Sequence, residues 1–383
     1  MEFFHIFYTV LIGSSFVAAA PAKIDARPPI DPTCVNSVVV SSHPAKCFET
    51  IQENVDKSEE LQNLDEPILF EGDIAGIIAP GDTIADLETK LSGLSKGGVL
   101  SHQRWPGAWM YYDISSAFTA AQRDIILSAM REFESKTDTV RFFQRTTGIS
   151  DYINILKAPS ADKCWSIIGK QGGAQTLYLG NNCVYFGTVV HELMHAIGFW
   201  HEQARNDRDT YVEINWNNIN KEEQYNFNKY AASSMDIFDT GYDFGSIMHY
   251  PKYAFAVNPS TWTIRPKSPW QNSEIGQTRG LSATDIKEIN GMYPLCATLW
   301  VDPSYTGQSQ VYVRGLTSNL HASLQDKLSS AKVTLGCALT IYDRVNSQGT
   351  STVFKPTQEG YVYWSFEGKT WDNAARSIKC TCV

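Results

Sequence analysis

The chain has no basic excess. It carries 32 Lys and Arg against 41 Asp and Glu, a net charge of −9, and no Lys/Arg-rich run. A nucleic-acid partner is therefore excluded, because nothing is available to neutralise phosphates. After residue 20 no stretch is long and apolar enough to span a bilayer, which argues against stable membrane insertion. No Asn-x-Ser/Thr acceptor with a permitted middle residue exists; Asn258-Pro259-Ser260 is disqualified by its proline. Residues 3–20 have no Lys or Arg, yet they are mostly apolar or small, from Phe3-Phe4 to Ala18-Ala19-Ala20. They read as a secretory signal peptide over 1–20, with an uncleaved anchor as the alternative. Eight cysteines, an even number, fit an oxidised extracellular chain. At 383 residues, 43% hydrophobic and 19% charged, the remainder has room for two or three ordinary globular domains.

What is present is concentrated in one stretch. His191-Glu192-Leu193-Met194-His195-Ala196-Ile197-Gly198-Phe199-Trp200-His201 reads H-E-x-x-H-x-x-G-x-x-H. On a helix, His191 and His195 lie one above the other on one face. Gly198, without a Cβ, can take a positive φ and end that helix, so that the chain turns and brings in His201. Three imidazoles leave a fourth position on zinc open for water, as a catalytic site requires. Glu192 stands between the ligands, placed to take a proton from that water.

The continuation narrows the reading. His201-Glu202-Gln203-Ala204-Arg205-Asn206-Asp207-Arg208-Asp209 follows, and about fifty residues after the helix stands Ser246-Ile247-Met248-His249-Tyr250. A Met-containing turn after such a helix marks the metzincins. Over roughly residues 97–296 the chain resembles the astacin family of zinc endopeptidases. The resemblance implies an α+β, two-lobed catalytic domain over 97–296, with a zinc helix and a Met-turn. It implies His191, His195, His201 and Tyr250 as metal ligands, and Glu192 and Tyr250 as catalytic groups. Glu192 would be the general base, and the Tyr250 phenol would swing toward the developing oxyanion. Met248 would lie beneath the metal without ligating it. His249 would point away from the metal as a packed histidine. Cys164 and Cys183 would form one of the family's bridges. The family's other bridge lacks a partner here, since residues 136–142 contain no Cys; Cys296 is therefore expected to pair with Cys337, Cys380 or Cys382.

Residues 21–96 are poor in aromatics and would form a weak core alone. Phe70-Glu71-Gly72-Asp73-Ile74 resembles the F-x-G-D motif of the family's inhibitory pro-segments, in which the aspartate takes the open zinc position. Asp73 is then the zymogen switch. Removal of 21–96 by an activating protease cutting near Lys96 would free a new amino group at Gly97, linked through water to Glu202. Cys34 and Cys47 would pair within the pro-segment.

Within 97–296, periodicity predicts strands at Trp109–Ile114, Val140–Gln144 and Tyr152–Leu156. It predicts a helix from Thr119 to Lys136, with Ile125, Ile126, Ala129, Met130 and Phe133 on one face, and a last helix over Asp285–Met292. Leu177–Leu179 is a short candidate edge strand, and the resemblance to the astacin family implies that extended substrate pairs with it. Lys252 and Arg265 follow the Met-turn; they either favour acidic residues beside the scissile bond or are solvated.

Residues 297–383 hold an internal repeat. Trp300-x4-Tyr305-x-Gly307 and Tyr342-x4-Ser347-x-Gly349 open the halves; Leu328-Ser329-Ser330 and Ala375-Arg376-Ser377 lead out of them. The pattern resembles a βγ-crystallin module, an all-β Greek-key sandwich, with Ser347 replacing an expected aromatic; a generic β-sandwich is the alternative. Such modules often bind Ca²⁺. Here Gln325 and Arg376 each break a ligand loop, so Zn²⁺ is the expected cofactor and Ca²⁺ is not favoured.

Together these readings predict a secreted, monomeric zinc endopeptidase made as a latent precursor and acting on protein or peptide substrates. The alternative is a surface- or glycan-binding protein acting through its tail.

Overall fold

The computed structural model describes residues 72–75, 103–229, 238–356 and 362–382. The expected signal peptide, most of the pro-segment, Lys96 and the pair Cys34 and Cys47 lie outside them.

A six-stranded sheet forms the first layer. Its strands are β1 (Ile74–Ala75), β2 (Trp109–Ile114), β3 (Arg141–Gln144), β4 (Tyr152–Lys157), β5 (Cys164–Ile167) and β6 (Ala174–Leu179), in the order β1-β5-β6-β4-β2-β3. Leu177–Leu179 is thus not an edge. It belongs to β6, which pairs with β4 on one side and β5 on the other. The sheet's edges are β1 and β3; β5 is the next strand in from β1, which pairs with it in parallel, Ile74 opposite Ser166.

Helix α1 (Ala120–Lys136) packs beneath the sheet and buries Ile126, Ala129, Met130 and Phe133. Its start is fixed by a capping box: Gln122 N–H donates to Thr119 Oγ1 (3.3 Å) and Thr119 N–H donates to Gln122 Oε1 (3.1 Å). Helix α2 (Phe186–Ile197) is apolar nearly all round and lies in the core. It ends at Gly198, whose φ of 127° is closed to a side chain and whose N–H reaches back to Met194 and His195.

Helix α3 (Ala283–Met292) is capped by Ser282 and Asp285. Asp285 does more: its carboxylate accepts from Ser246 Oγ (2.7 Å) and from Ile247 N–H (3.0 Å), tying α3 to the turn at residues 246–250. A small ladder of β7 (Val212–Ile214) and β8 (Ile264–Pro266) sits with Phe227, Tyr242 and Tyr250 in a separate core.

The chain then enters two four-stranded sheets. One is built from β9 (Leu295–Asp302), β10 (Thr306–Val313), β12 (Ser330–Val333) and β15 (Val362–Ser365), in the order β10-β9-β12-β15. The other is built from β11 (Thr317–Asn319), β13 (Cys337–Tyr342), β14 (Ser351–Phe354) and β16 (Ser377–Cys382), in the order β11-β16-β13-β14. Each half of the repeat lends its third strand, β11 or β15, to the other half's sheet, as Greek keys do.

The repeat is legible atom by atom. Ser330 Oγ donates to Asp302 O (2.7 Å) and accepts from Tyr305 N–H (3.1 Å). Ser377 Oγ donates to Arg344 O (2.5 Å) and accepts from Ser347 N–H (2.9 Å). Both corners turn through positive φ, at Ser304 and Tyr305 in one and at Asn346 and Ser347 in the other. Ser347 therefore keeps the corner that its missing ring would have covered.

Candidate metal centre

Helical spacing stacks His191 and His195, and the Gly198 turn delivers His201. The three rings have centroids 4.7–5.1 Å apart. Their Nε2 atoms face inward, with 3.1 Å between those of His191 and His201. Asp73 closes the group. Its Oδ2 is 3.2 Å from His191 Nε2, and its Oδ1 is 3.3 Å from Nε2 of both His195 and His201.

These donors fit a zinc ion on three counts. His191 Nδ1 lies 2.8 Å from Ile247 O and His195 Nδ1 lies 2.8 Å from Phe199 O. A carbonyl only accepts, so in each ring the proton is on Nδ1 and the Nε2 lone pair faces the centre. His195 Nε2 and Asp73 Oδ1 are buried without a hydrogen-bond partner, an expense that a cation between them removes. Finally, ligands about 2.1 Å from a tetrahedral zinc stand about 3.4 Å from one another, close to the separations observed.

The charge states agree. Burial holds His195 down at about 4 despite the nearby Asp73, so the imidazole is neutral, as a ligand must be. Burial raises the Asp73 carboxyl, but positive charge and donors at the His201, His191 and His195 ring nitrogens hold it well below the usual range; with the rings neutral and their lone pairs inward, a bound cation would supply that charge. Glu192 is 2% exposed, and its Oε2 has no partner. Burial, and then the Asp73 charge, push its carboxyl well above the usual value.

Around this group, Met248 is buried, and its carbonyl accepts from Glu202 N–H (3.0 Å). The Tyr250 ring packs 4.7 Å from that of His201, beside Phe227 and Phe255. Glu202 faces away from the cluster. It accepts from Asp243 N–H (2.7 Å) and lies 3.6 Å from Arg205. His249 is a packed histidine: its Nε2 is 2.7 Å from Tyr242 Oη, and burial lowers it to about 4. Cys164 and Cys183 are bridged and line the cleft.

The cleft above the cluster measures 710 Å³, with Lys163, Glu223, Tyr225 and Phe255 in its walls. Lys252 and Arg265 are not among the lining residues. Lys252 Nζ lies over the Tyr253 ring, and the Arg265 guanidinium pairs with Glu213 at 2.8 Å across β7 and β8. Sequence reasoning gave no role to β5, Gln203, Tyr242 or Phe255. Gln203 sits inside the H-E-Q continuation, which was a usable signal; Phe255 had none.

A family model described as Astacin, a peptidase family, matches residues 99–294, just over half of the chain. The chain belongs to the astacin family. It is similar to zinc metalloproteinase nas-13 of Caenorhabditis elegans, 37% identical over 272 residues that cover 68% of this chain and 58% of that protein. It is 43% identical to high choriolytic enzyme 1 of Oryzias latipes over 183 residues, 48% of this chain and 64% of that one. The solved structure of high choriolytic enzyme 1 aligns at a TM-score of 0.45 and 40% identity, over 52% of this chain and 94% of that one. A βγ-crystallin domain from Flavobacterium johnsoniae aligns at a TM-score of 0.19 and 27% identity, over 23% of this chain and 94% of its own. The chain spans about half the length of the curated relatives it matches.

Two features of this astacin chain stand apart. The segment without a cysteine is held by hydrogen bonds: Thr139 Oγ1 donates to Tyr293 O (2.7 Å) and Asp138 N–H donates to Asn290 Oδ1 (2.9 Å). Cys296 pairs instead with Cys380, and Cys337 pairs with Cys382. In the sandwich, Arg376 Nε donates to Asp326 Oδ1 at 2.8 Å. That guanidinium competes for a carboxylate a calcium ion would need.

Proposed function

We propose that this astacin chain is the latent precursor of a secreted zinc endopeptidase. The observation that carries the reading is the Asp73 carboxylate lying 3.2–3.3 Å from three converging imidazole nitrogens. A carboxylate there fills the position that chemistry on a peptide needs open.

When bound, zinc supplies Lewis acidity that polarises the scissile carbonyl and acidifies water. His191, His195 and His201 hold it. Glu192 takes the proton from water and returns it to the leaving amine. The Tyr250 phenol donates a hydrogen bond to the oxygen that gains charge. Met248 supports the cluster from below.

The pro-segment also blocks the substrate's place. β1 lies along β5, with Ser166 N–H donating to Asp73 O at 2.9 Å. Once residues 21–96 are removed by cleavage near Lys96, the β5 edge is open to an extended peptide, which adds as a strand. Glu202 is pushed well above the usual carboxyl value by burial and by the Glu288 and Asp285 charges, against Arg205 and the Asp243 N–H. It is short of positive charge, and the amino group freed at Gly97 would supply it.

The test is peptide-bond cleavage by the activated chain beside its Glu192→Ala twin. Activity lost in the twin and under chelation supports the reading. Equal activity in both sinks it.

A further inference from the structure

The backbone of Tyr250 is held on both sides. Its N–H donates to Gln203 Oε1 (3.0 Å), and its carbonyl lies 2.8 Å from His249 Nδ1. A carbonyl only accepts, so His249 Nδ1 carries the proton. His249 Nε2 then presents a lone pair, and the hydroxyl 2.7 Å away on Tyr242 must donate to it. The Tyr250 carbonyl thereby sets the tautomer, and the Tyr242 hydroxyl holds the imidazole in place from its other side. Were that hydroxyl gone, Nε2 would lose its partner and the ring would be free to turn, weakening its hold on the Tyr250 carbonyl.

None of the three groups is loose. Gln203 is fully buried and its backbone carbonyl accepts from Arg208 Nη1 (2.9 Å); its side-chain Nε2 has no hydrogen-bond partner, so the bond from Tyr250 N–H is what orients the amide. Gln203 lies two residues after His201, so one short segment carries both a metal ligand and the acceptor that fixes Tyr250. The Tyr242 ring stacks on Tyr211, with centroids 4.9 Å apart and planes 10° apart.

We infer that Gln203, His249 and Tyr242 are positioning residues: they clamp the Tyr250 peptide so that the phenol moves about its own side-chain bonds and not with the loop. The inference rests on the role proposed above for Tyr250. A clamped Cα confines the phenol to one arc, and a misplacement of about 1 Å at such a group can cost on the order of a hundredfold in rate.

The test uses the activated chain and measures kcat, KM, zinc affinity by chelator competition, and the thermal midpoint. Tyr242→Phe, which removes one hydroxyl, and Gln203→Met are expected to lower kcat about ten- to a hundredfold. KM and zinc affinity should stay near the parent values, and the midpoint should fall by a few degrees, as the loss of one buried hydrogen bond predicts. His249→Leu should behave likewise, and His249→Asn, which keeps a donor for the Tyr250 carbonyl, should recover most of the loss. The deciding comparison is a double-mutant cycle with Tyr250→Phe. If the three residues act through Tyr250, adding Tyr242→Phe to Tyr250→Phe costs nothing further. A loss of the same size on both backgrounds overturns the inference and leaves the role of Tyr250 standing. A Tyr250→Phe enzyme with unchanged kcat overturns that role, and the inference with it.

Discussion

Phe255 sits where a side chain on residue 72 would have to go: an ideal Cβ on Gly72 would lie 2.7 Å from the Phe255 ring. The backbone of Gly72 is also left-handed, with φ of 83°, and the next residue is the carboxylate that faces the three histidines. Glycine is thus required twice over, by sterics and by conformation. Gly72→Ala should lift Asp73 from the cluster without touching either group. At about 1–3 kcal/mol for such strain, the uncleaved precursor should show residual peptidase activity about five- to a hundredfold that of the parent. Assay of precursor protected from processing checks this.

The two units share their cores. Trp109, from β2 of the first sheet, packs edge-on to Tyr312 of β10 at 5.3 Å and belongs to the sandwich core. Val313, from the sandwich, belongs to the core around α1 and α2. We expect one thermal transition for both units. Trp109→Ala should lower it by about 3–5 kcal/mol, seen as a joint loss in calorimetry. Two separate transitions in the parent would show the cores to be independent.

Glu288 gives stability a pH dependence. Burial raises its carboxyl to about 7, with Asp285 and Asp243 adding to the rise and Thr240 and Arg205 opposing it. A carboxyl whose folded value exceeds its unfolded value of about 4.5 favours folding below the unfolded value, and loses that contribution as pH rises through the folded one. Stability from this group should therefore fall between about pH 4.5 and pH 7 and level off above that. Glu288→Gln should flatten that slope and match the parent near pH 4.5. At pH 8 it should exceed the parent by up to a few kcal/mol. Urea midpoints across the range check the sign.

The metal group was legible because its geometry is local: four- and six-residue offsets on one helix and one turn place all three histidines. Asp73 stands 118 residues from His191, and only its motif gave it away. The edge strand was misplaced for a physical reason. Alternation reports a strand with one buried face, as Ala174–Leu179 is, but strand order depends on long-range pairing that alternation does not encode. Lys252 and Arg265 were similarly ambiguous. Proximity to the Met-turn in sequence does not fix direction, and the β7–β8 ladder turns Arg265 toward Glu213. The corner at Ser347 survived the loss of its aromatic because Ser377 holds its backbone. Trp109 looked like the first residue of an ordinary strand; nothing local says that its ring belongs to the sandwich.

The central claim is that Asp73 keeps a working peptidase silent. The direct measurement is peptide cleavage by the uncleaved precursor carrying Asp73→Ala, beside the parent precursor and the Asp73→Ala, Glu192→Ala double variant. The parent should show no more than trace cleavage and the double variant none, and Asp73→Ala alone should cleave without processing. A silent Asp73→Ala precursor whose processed form cleaves would contradict the switch. Silence in every form, processed or not, would contradict the peptidase.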